Sequence, residues 1–112
     1  MEVKHEERGA VTVVSIAGSL DAMTAPQLSD LLTQRISAGR SNLVADLAAL
    51  DYTSSAGLRA LLNAAKEARQ RGGDMRLAAV QPNVHKVFEL SGFTSILRFF
   101  PDVPAAVASY PA

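Results

Sequence analysis

The hydroxyl and carboxyl groups that could do chemistry in this chain gather in two short stretches. One is Leu50 to Leu62, LDYTSSAGLRALL, where Thr53, Ser54 and Ser55 stand before Ala56, Gly57 and a run of helical spacing. The other is GSLD, Gly18 to Asp21, followed closely by Met23 and Thr24. A serine at a strand-to-helix turn suggests a nucleophile. The sharp elbow that exposes such a serine needs glycine two residues before it and two after. Ser55 has Gly57 after it but Thr53 before it, and no histidine is placed as its base, so hydrolysis is a distant reading. Neither G-x-x-x-x-G-K-[ST] nor G-x-G-x-x-G occurs, which leaves nucleotide hydrolysis without support. Asp21, Asp46 and Asp51 are the candidates for acid–base or metal chemistry; Asp21 and Asp51 fall in expected loops and could share one end of a sheet, but loop aspartates usually cap or form turns. His5 and His85 are far apart, and neither has a neighbour at metal-ligand spacing. No metal site, cofactor or catalytic residue is expected.

The serines have a structural role and a functional one. A Ser or Thr just before a helix satisfies N–H groups that have no partner within the helix, and Thr53 or Ser54 could do so alone. A phosphate on Ser55 would sit on the first helical turn, where N–H groups and the positive end of the dipole accept an anion. The fold would tolerate it, yet the surface would gain roughly 1.5 to 2 negative charges. A partner docked there could be expelled without any refolding. Ala56 and Gly57 keep the surroundings small, so another protein's active site could reach the hydroxyl.

The elements that must position these groups follow from periodicity. Glu2 to Glu6 alternate apolar and charged, Gly9 turns the chain, and Val11 to about Ala17 is a buried, β-branched strand, which together suggest a hairpin. Gly18 begins a break. Thr24 and Pro26 open a helix carrying Leu28, Leu31, Leu32 and Ile36, which Gly39 ends. NLVADL is a central strand. Leu58, Leu61, Leu62 and Ala65 then share one helix face, with Arg59, Asn63, Lys66 and Arg69 pointing away. RGGD stops that helix and MRLAAV is the next strand. Pro82 opens a helix bearing Val84, Val87 and Phe88, closed by Gly92. SILRFF is a last strand, and Asp102 to about Tyr110 is a short helix with Val103 and Val107 as its core contacts. Strands alternating with helices build a largely parallel sheet. A three-layer sandwich and a sheet with helices mainly on one face both fit this spacing.

Composition bounds the rest. The 112 residues are 48% hydrophobic and 20% charged, enough for one domain, residues 1–112, with a real core. Eleven basic residues balance eleven acidic ones, so nothing favours direct binding of nucleic acid or anionic lipid. There are no cysteines, no stretch long enough for membrane insertion, and a charged start unlike a secretory signal, so a cytoplasmic protein is expected.

Four pieces, in order across nearly the whole chain, resemble the STAS domains, and among them the bacterial anti-sigma factor antagonists. GSLD resembles the family's Gly-x-Leu-Asp after the second strand. LVADLAALDYTSSAGLRALL resembles the strand, loop and helix that bear a regulatory serine. RGGDMRLAAVQPNVHKVFELSGF resembles the Gly-Gly turn, fourth strand and Pro-led helix, and ILRFFPDVPAAV the closing strand and helix. The resemblance implies a STAS-like α/β fold. It has a mixed, mostly parallel sheet of about five strands, an N-terminal antiparallel hairpin and about four helices.

The resemblance also implies a function. Such antagonists bind an anti-sigma factor, often one with serine-kinase activity, and so release a sigma factor for transcription. The kinase phosphorylates the antagonist on one serine and breaks the complex. A metal-dependent serine phosphatase reverses this, and the antagonist catalyses nothing. Alignment of Gly57-Leu58 on the family's Asp-Ser-Ser/Thr-Gly-Leu makes Ser55 the phosphorylation site, with Ser54 in place of the usual aspartate. Asp21 matches a family loop residue near the partner surface, and position alone adds Met23, Thr24 and Arg59 to Ser54, Ser55 and Gly57 as partner-binding residues. The alternative is a STAS scaffold or accessory subunit of a signalling or transporter complex, without a phosphorylation cycle.

Overall fold

The computed structural model describes residues 1–111. Strands β1 (Glu2–Arg8) and β2 (Val11–Leu20) form the expected antiparallel hairpin, with Glu2 opposite Ala17 and Arg8 opposite Val11. Gly9 adopts a φ of 62° in the tight turn, a left-handed conformation that glycine reaches without a Cβ clash. Helix α1 (Ala25–Ser37) leads to β3 (Asn42–Asp46), β4 (Leu50–Thr53), α2 (Ser55–Gln70), β5 (Asp74–Ala78) and α3 (Pro82–Leu90). A 3₁₀ turn (Phe93–Ser95), β6 (Phe99–Phe100) and α4 (Val103–Ala108) complete the order.

The main sheet runs β1-β2-β3-β5-β6, parallel throughout after the hairpin, and β4 pairs with β2 alone. Strand β2 is therefore forked. Its first half, Thr12 to Ser15, pairs with β3, and its last residues, Gly18 to Leu20, pair with β4 across a register shift. Two sequence expectations change here. Gly18 does not end the strand; it has a φ of 92° and marks the shift in register, so β2 continues to Leu20. The segment Leu50–Thr53, expected as loop, is a sixth strand.

The two sheet faces are covered unequally. Val14, Ile16, Leu43, Ala45, Met75 and Leu77 point into the main core. Leu28, Leu32 and Ile36 of α1, Leu58 and Leu61 of α2, and Val84 and Phe88 of α3 meet them there. On the opposite face Val11, Val13, Val44 and Ala78 pack under α4 only. Three helices on one face and one on the other settles the layer question left open by spacing.

The last elements also differ from expectation. SILRFF yields only the two-residue β6, because Ser95 ends the 3₁₀ turn and Leu97 folds into the main core. In α4 the buried contacts are Ala106 and, just beyond its end, Tyr110, whereas Val103 and Val107 are half-buried at the margin. The Tyr110 hydroxyl shares its one proton between the carbonyls of Leu43 (2.6 Å) and Asp74 (2.9 Å), tying the chain end to β3 and β5. Arg76 lies 4.0 Å over the Tyr110 ring and also pairs with Asp74, which Arg69 holds from its other oxygen. No helix among the described residues is long and apolar enough to cross a membrane.

Candidate functional site

The fork in β2 builds the site. Pairing of β2 with β4 carries the backbone N–H of Ser54 to the Leu20 carbonyl at 2.9 Å, so the residue that precedes Asp21 is bonded to the residue just before α2. The GSLD stretch and the serine pair, far apart in sequence, are thereby fixed side by side.

The hydroxyls at the start of α2 divide their roles. Ser54 is the N-cap. Its backbone is extended, and its Oγ accepts from the Gly57 N–H at 3.3 Å. Thr53 is buried, and its Oγ1 donates to the Ser54 carbonyl. Ser55 is the first helical residue, is exposed, and its hydroxyl makes no hydrogen bond among the described residues. Of the three, only Ser55 offers a hydroxyl that is not already in use.

Gly57 is where the helix meets the floor of the site. A Cβ added there would lie 2.5 Å from Thr53 Oγ1 and 2.7 Å from Leu20 Cγ, both deeply buried. The absence of a side chain lets α2 seat directly on the end of β2, which fixes the height of Ser55 above the sheet.

Asp21 shapes the facing loop. Its Oδ1 accepts from the backbone N–H groups of Met23 (2.9 Å) and Thr24 (3.1 Å), and Thr24 Oγ1 in turn accepts from the Asp21 N–H at 2.9 Å. The Thr24 amide, then that of Met23 and the Thr24 hydroxyl, hold the Asp21 carboxyl below the ordinary carboxylate range, against a smaller opposing effect of desolvation. Thr24 does stand at the N-cap of α1, but its hydroxyl does not cap the helix as expected, because it is turned back to Asp21. The loop is thus a rigid, anionic rim.

Asp21, Ala22, Tyr52, Ser54, Ser55 and Val87 line one open depression. A second groove, between the N-terminal halves of α1 and α2, shares Ala22 and Ala56 with it and is bordered by Pro26, Arg59 and Asn63. Met23 projects from the rim at 89% exposure, and Tyr52 is 54% exposed. Asp21, Thr24, Ser54, Ser55 and Gly57 therefore form one constellation, with Met23 on its rim and Arg59 one helical turn away.

Tyr52, Ala22 and Val87 belong to the same surface and were not singled out from sequence. In β4 both positions between buried Leu50 and Thr53, Asp51 and Tyr52, are exposed, and Tyr52 can be placed on this surface only once that segment is read as a strand. The remaining titratable residues lie elsewhere. Asp46 accepts from the Ala48 amide at the end of β3, and His85 sits on α3 with Nδ1 2.9 Å from Glu89. Among the described residues no three His, Cys, Asp or Glu side chains gather as a metal site.

The sequence matches the STAS domain family over residues 2–106. The chain belongs to that family. This STAS domain is 36% identical over 110 residues to BtrV of Bordetella bronchiseptica, named as a candidate anti-sigma factor antagonist, with 98% of this chain and 95% of the relative covered. It superposes on the crystal structure of an anti-sigma factor antagonist from Mycobacterium paratuberculosis at a TM-score of 0.87 and 25% identity, covering 96% and 92% of the two chains. It also shares its fold with the Bacillus cell-fate determinant SpoIIAA in the phosphorylated form, at a TM-score of 0.76 and 20% identity, covering 97% of this STAS domain and 100% of SpoIIAA.

Proposed function

We propose that this STAS domain is an anti-sigma factor antagonist. It docks on an anti-sigma factor through the Asp21 loop and the start of α2, and is switched off by phosphorylation of Ser55. The observation that carries the reading is the division of labour at α2. Ser54 is committed to the cap and Thr53 is buried, while the Ser55 hydroxyl is exposed and unbonded beside a rim with apolar anchors at Met23 and Tyr52. BtrV and the mycobacterial protein are named as antagonists, and a protein of the same fold occurs phosphorylated, which supports the same direction.

In this reading the chain acts in the cytoplasm and catalyses nothing. An anti-sigma factor with serine-kinase activity transfers phosphate to Ser55, and a metal-dependent serine phosphatase removes it. The added charge enters the surface that already carries the Asp21 carboxylate, so it disfavours a partner surface built to meet a single negative rim. Release then needs no refolding, because the N-terminal end of α2 accepts the phosphate.

The test has two arms. Incubation with extract and labelled ATP places phosphate on Ser55 and none on Ser55→Ala. An anti-sigma factor identified by mass spectrometry is retained by wild type and Ser55→Ala and lost with Ser55→Asp. Equal retention by all three removes the switch and leaves the alternative of a STAS scaffold or accessory subunit.

A further inference from the structure

We infer that a phosphate on Ser55 is held within the same chain by Arg59, so that phosphorylation adds negative charge to the docking surface and at the same moment withdraws a cation from it. The inference rests on the proposed phosphorylation of Ser55. It concerns what the phosphate does to this chain's own side chains.

Three observations carry it. First, Ser55 and Arg59 lie four residues apart on α2, both exposed. Residues at that spacing are neighbours on a helix surface, with about 5–6 Å between Cβ atoms. Helical side chains lean toward the N-terminus, so a long side chain at the later position covers the earlier one. An anion before a cation at this spacing is the favourable order.

Second, Arg59 has no ion pair or side-chain hydrogen bond among the described residues. The arginines that do pair are Arg8 with Glu6, Arg40 with Glu7, and Arg69 and Arg76 with Asp74. Arg59 instead borders the groove between α1 and α2, where Ala22, Ala25, Ala56 and Ala60 present no competing charge. Its guanidinium can swing without breaking an existing contact, and its planar fork suits two phosphate oxygens at once.

Third, a fixed carboxylate in the same depression disfavours a phosphate placed next to it. Asp21 lines the same depression as Ser55, and its carboxylate is fixed there by two backbone amides. The Ser55 side chain is unbonded and free to choose its rotamer, so a phosphate turns from the Asp21 rim toward the Arg59 side. Ala56, which separates the two grooves, is too small to block the path.

The experiment installs phosphoserine at position 55 of the 112-residue chain during translation, so no kinase is involved. Phosphorus NMR follows the second ionisation of the phosphate at low salt. Wild type is compared with Arg59→Ala, Arg59→Lys and, as a control for charge on the same helix about 16 Å further along, Lys66→Ala. The midpoint is expected about 0.2–0.4 pH units higher in Arg59→Ala than in wild type. Arg59→Lys recovers part of the difference, Lys66→Ala leaves the midpoint unchanged, and about 1 M salt erases the effect.

The Arg59 Nε–Hε resonance is expected to move on phosphorylation in the wild-type chain. Equal midpoints in wild type and Arg59→Ala, with an unmoved Arg59 resonance, overturn the inference. If the Arg59 effect appears but phosphoserine 55 leaves anti-sigma factor binding intact, the pairing stands and the proposed function fails.

Discussion

Ser54 and Gly57 together decide how the start of α2 is held, and each can be tested without touching Ser55. Loss of the Ser54 cap in Ser54→Ala should cost about 1 kcal/mol in chemical denaturation, because one backbone donor of the first turn loses its acceptor. Ser54→Asp should fold as well as wild type, since aspartate caps equally and its charge suits a helix N-terminus. That outcome explains how either residue can occupy the position, and it separates the cap from any part the charge plays with a partner. Gly57→Ala has two opposed terms. Alanine gains up to about 1 kcal/mol of helix propensity, but its Cβ meets Thr53 and Leu20 in a packed core, at a cost of about 1–3 kcal/mol. Neither neighbour has room to yield, so the net effect is destabilisation, read as a lower denaturation midpoint with an unchanged slope.

At the scale of elements, strong periodicity in the sequence matched what forms. Leu28, Leu32 and Ile36 recur at helical spacing and α1 buries all three; Leu58, Leu61 and Ala65 do the same for α2. The misses occurred where tertiary pairing overrode local signal. Asp51 and the short span made Leu50–Thr53 look like loop, and only its bonds to β2 make it a strand. Gly18 looked like a stop because glycine usually ends strands, whereas here it absorbs a register shift. The site was legible to the same degree: Ser55 and Asp21 stood out as motifs, but their neighbours Tyr52 and Val87 needed the three-dimensional pairing. The chain end makes a prediction at this scale. Burial, then the Asp74 carboxylate, raise the Tyr110 hydroxyl well above its ordinary value of 10.0. The fold therefore favours the protonated form, and its contribution is complete below about pH 10 and falls as pH rises beyond it. Tyr110→Phe should cost about 1–3 kcal/mol at neutral pH through the loss of two acceptor contacts on Leu43 and Asp74, and should flatten the alkaline decline in stability.

For the whole molecule, the unequal covering of the sheet leaves the constellation around Ser55 and Asp21 at one end of the three-helix side, while α4 closes the far face. The balance of eleven basic and eleven acidic residues gives no global field to steer a partner, so under the proposed function recognition depends on the local pattern of Asp21, Arg59 and the apolar Met23 and Tyr52. The proposed phosphorylation, a change of roughly 1.5 to 2 charge units at Ser55, is large against that neutral background. The fork in β2 has a consequence for motion. Strand β4 holds to the sheet through the last residues of β2 alone, while residues Leu43 to Asp46 of β3 are paired on both sides, by β2 and β5. The switch end can open as a small cooperative unit while the central ladder stays closed. The amides of Gly18 and Ser54, bonded across the fork to Ala49 and Leu20, should then exchange with deuterium faster than those of Asn42–Asp46, through an opening that hardly responds to denaturant. Under the proposed function, breathing at that end would give a modifying enzyme intermittent access to the backbone around Ser55 at no cost to global stability.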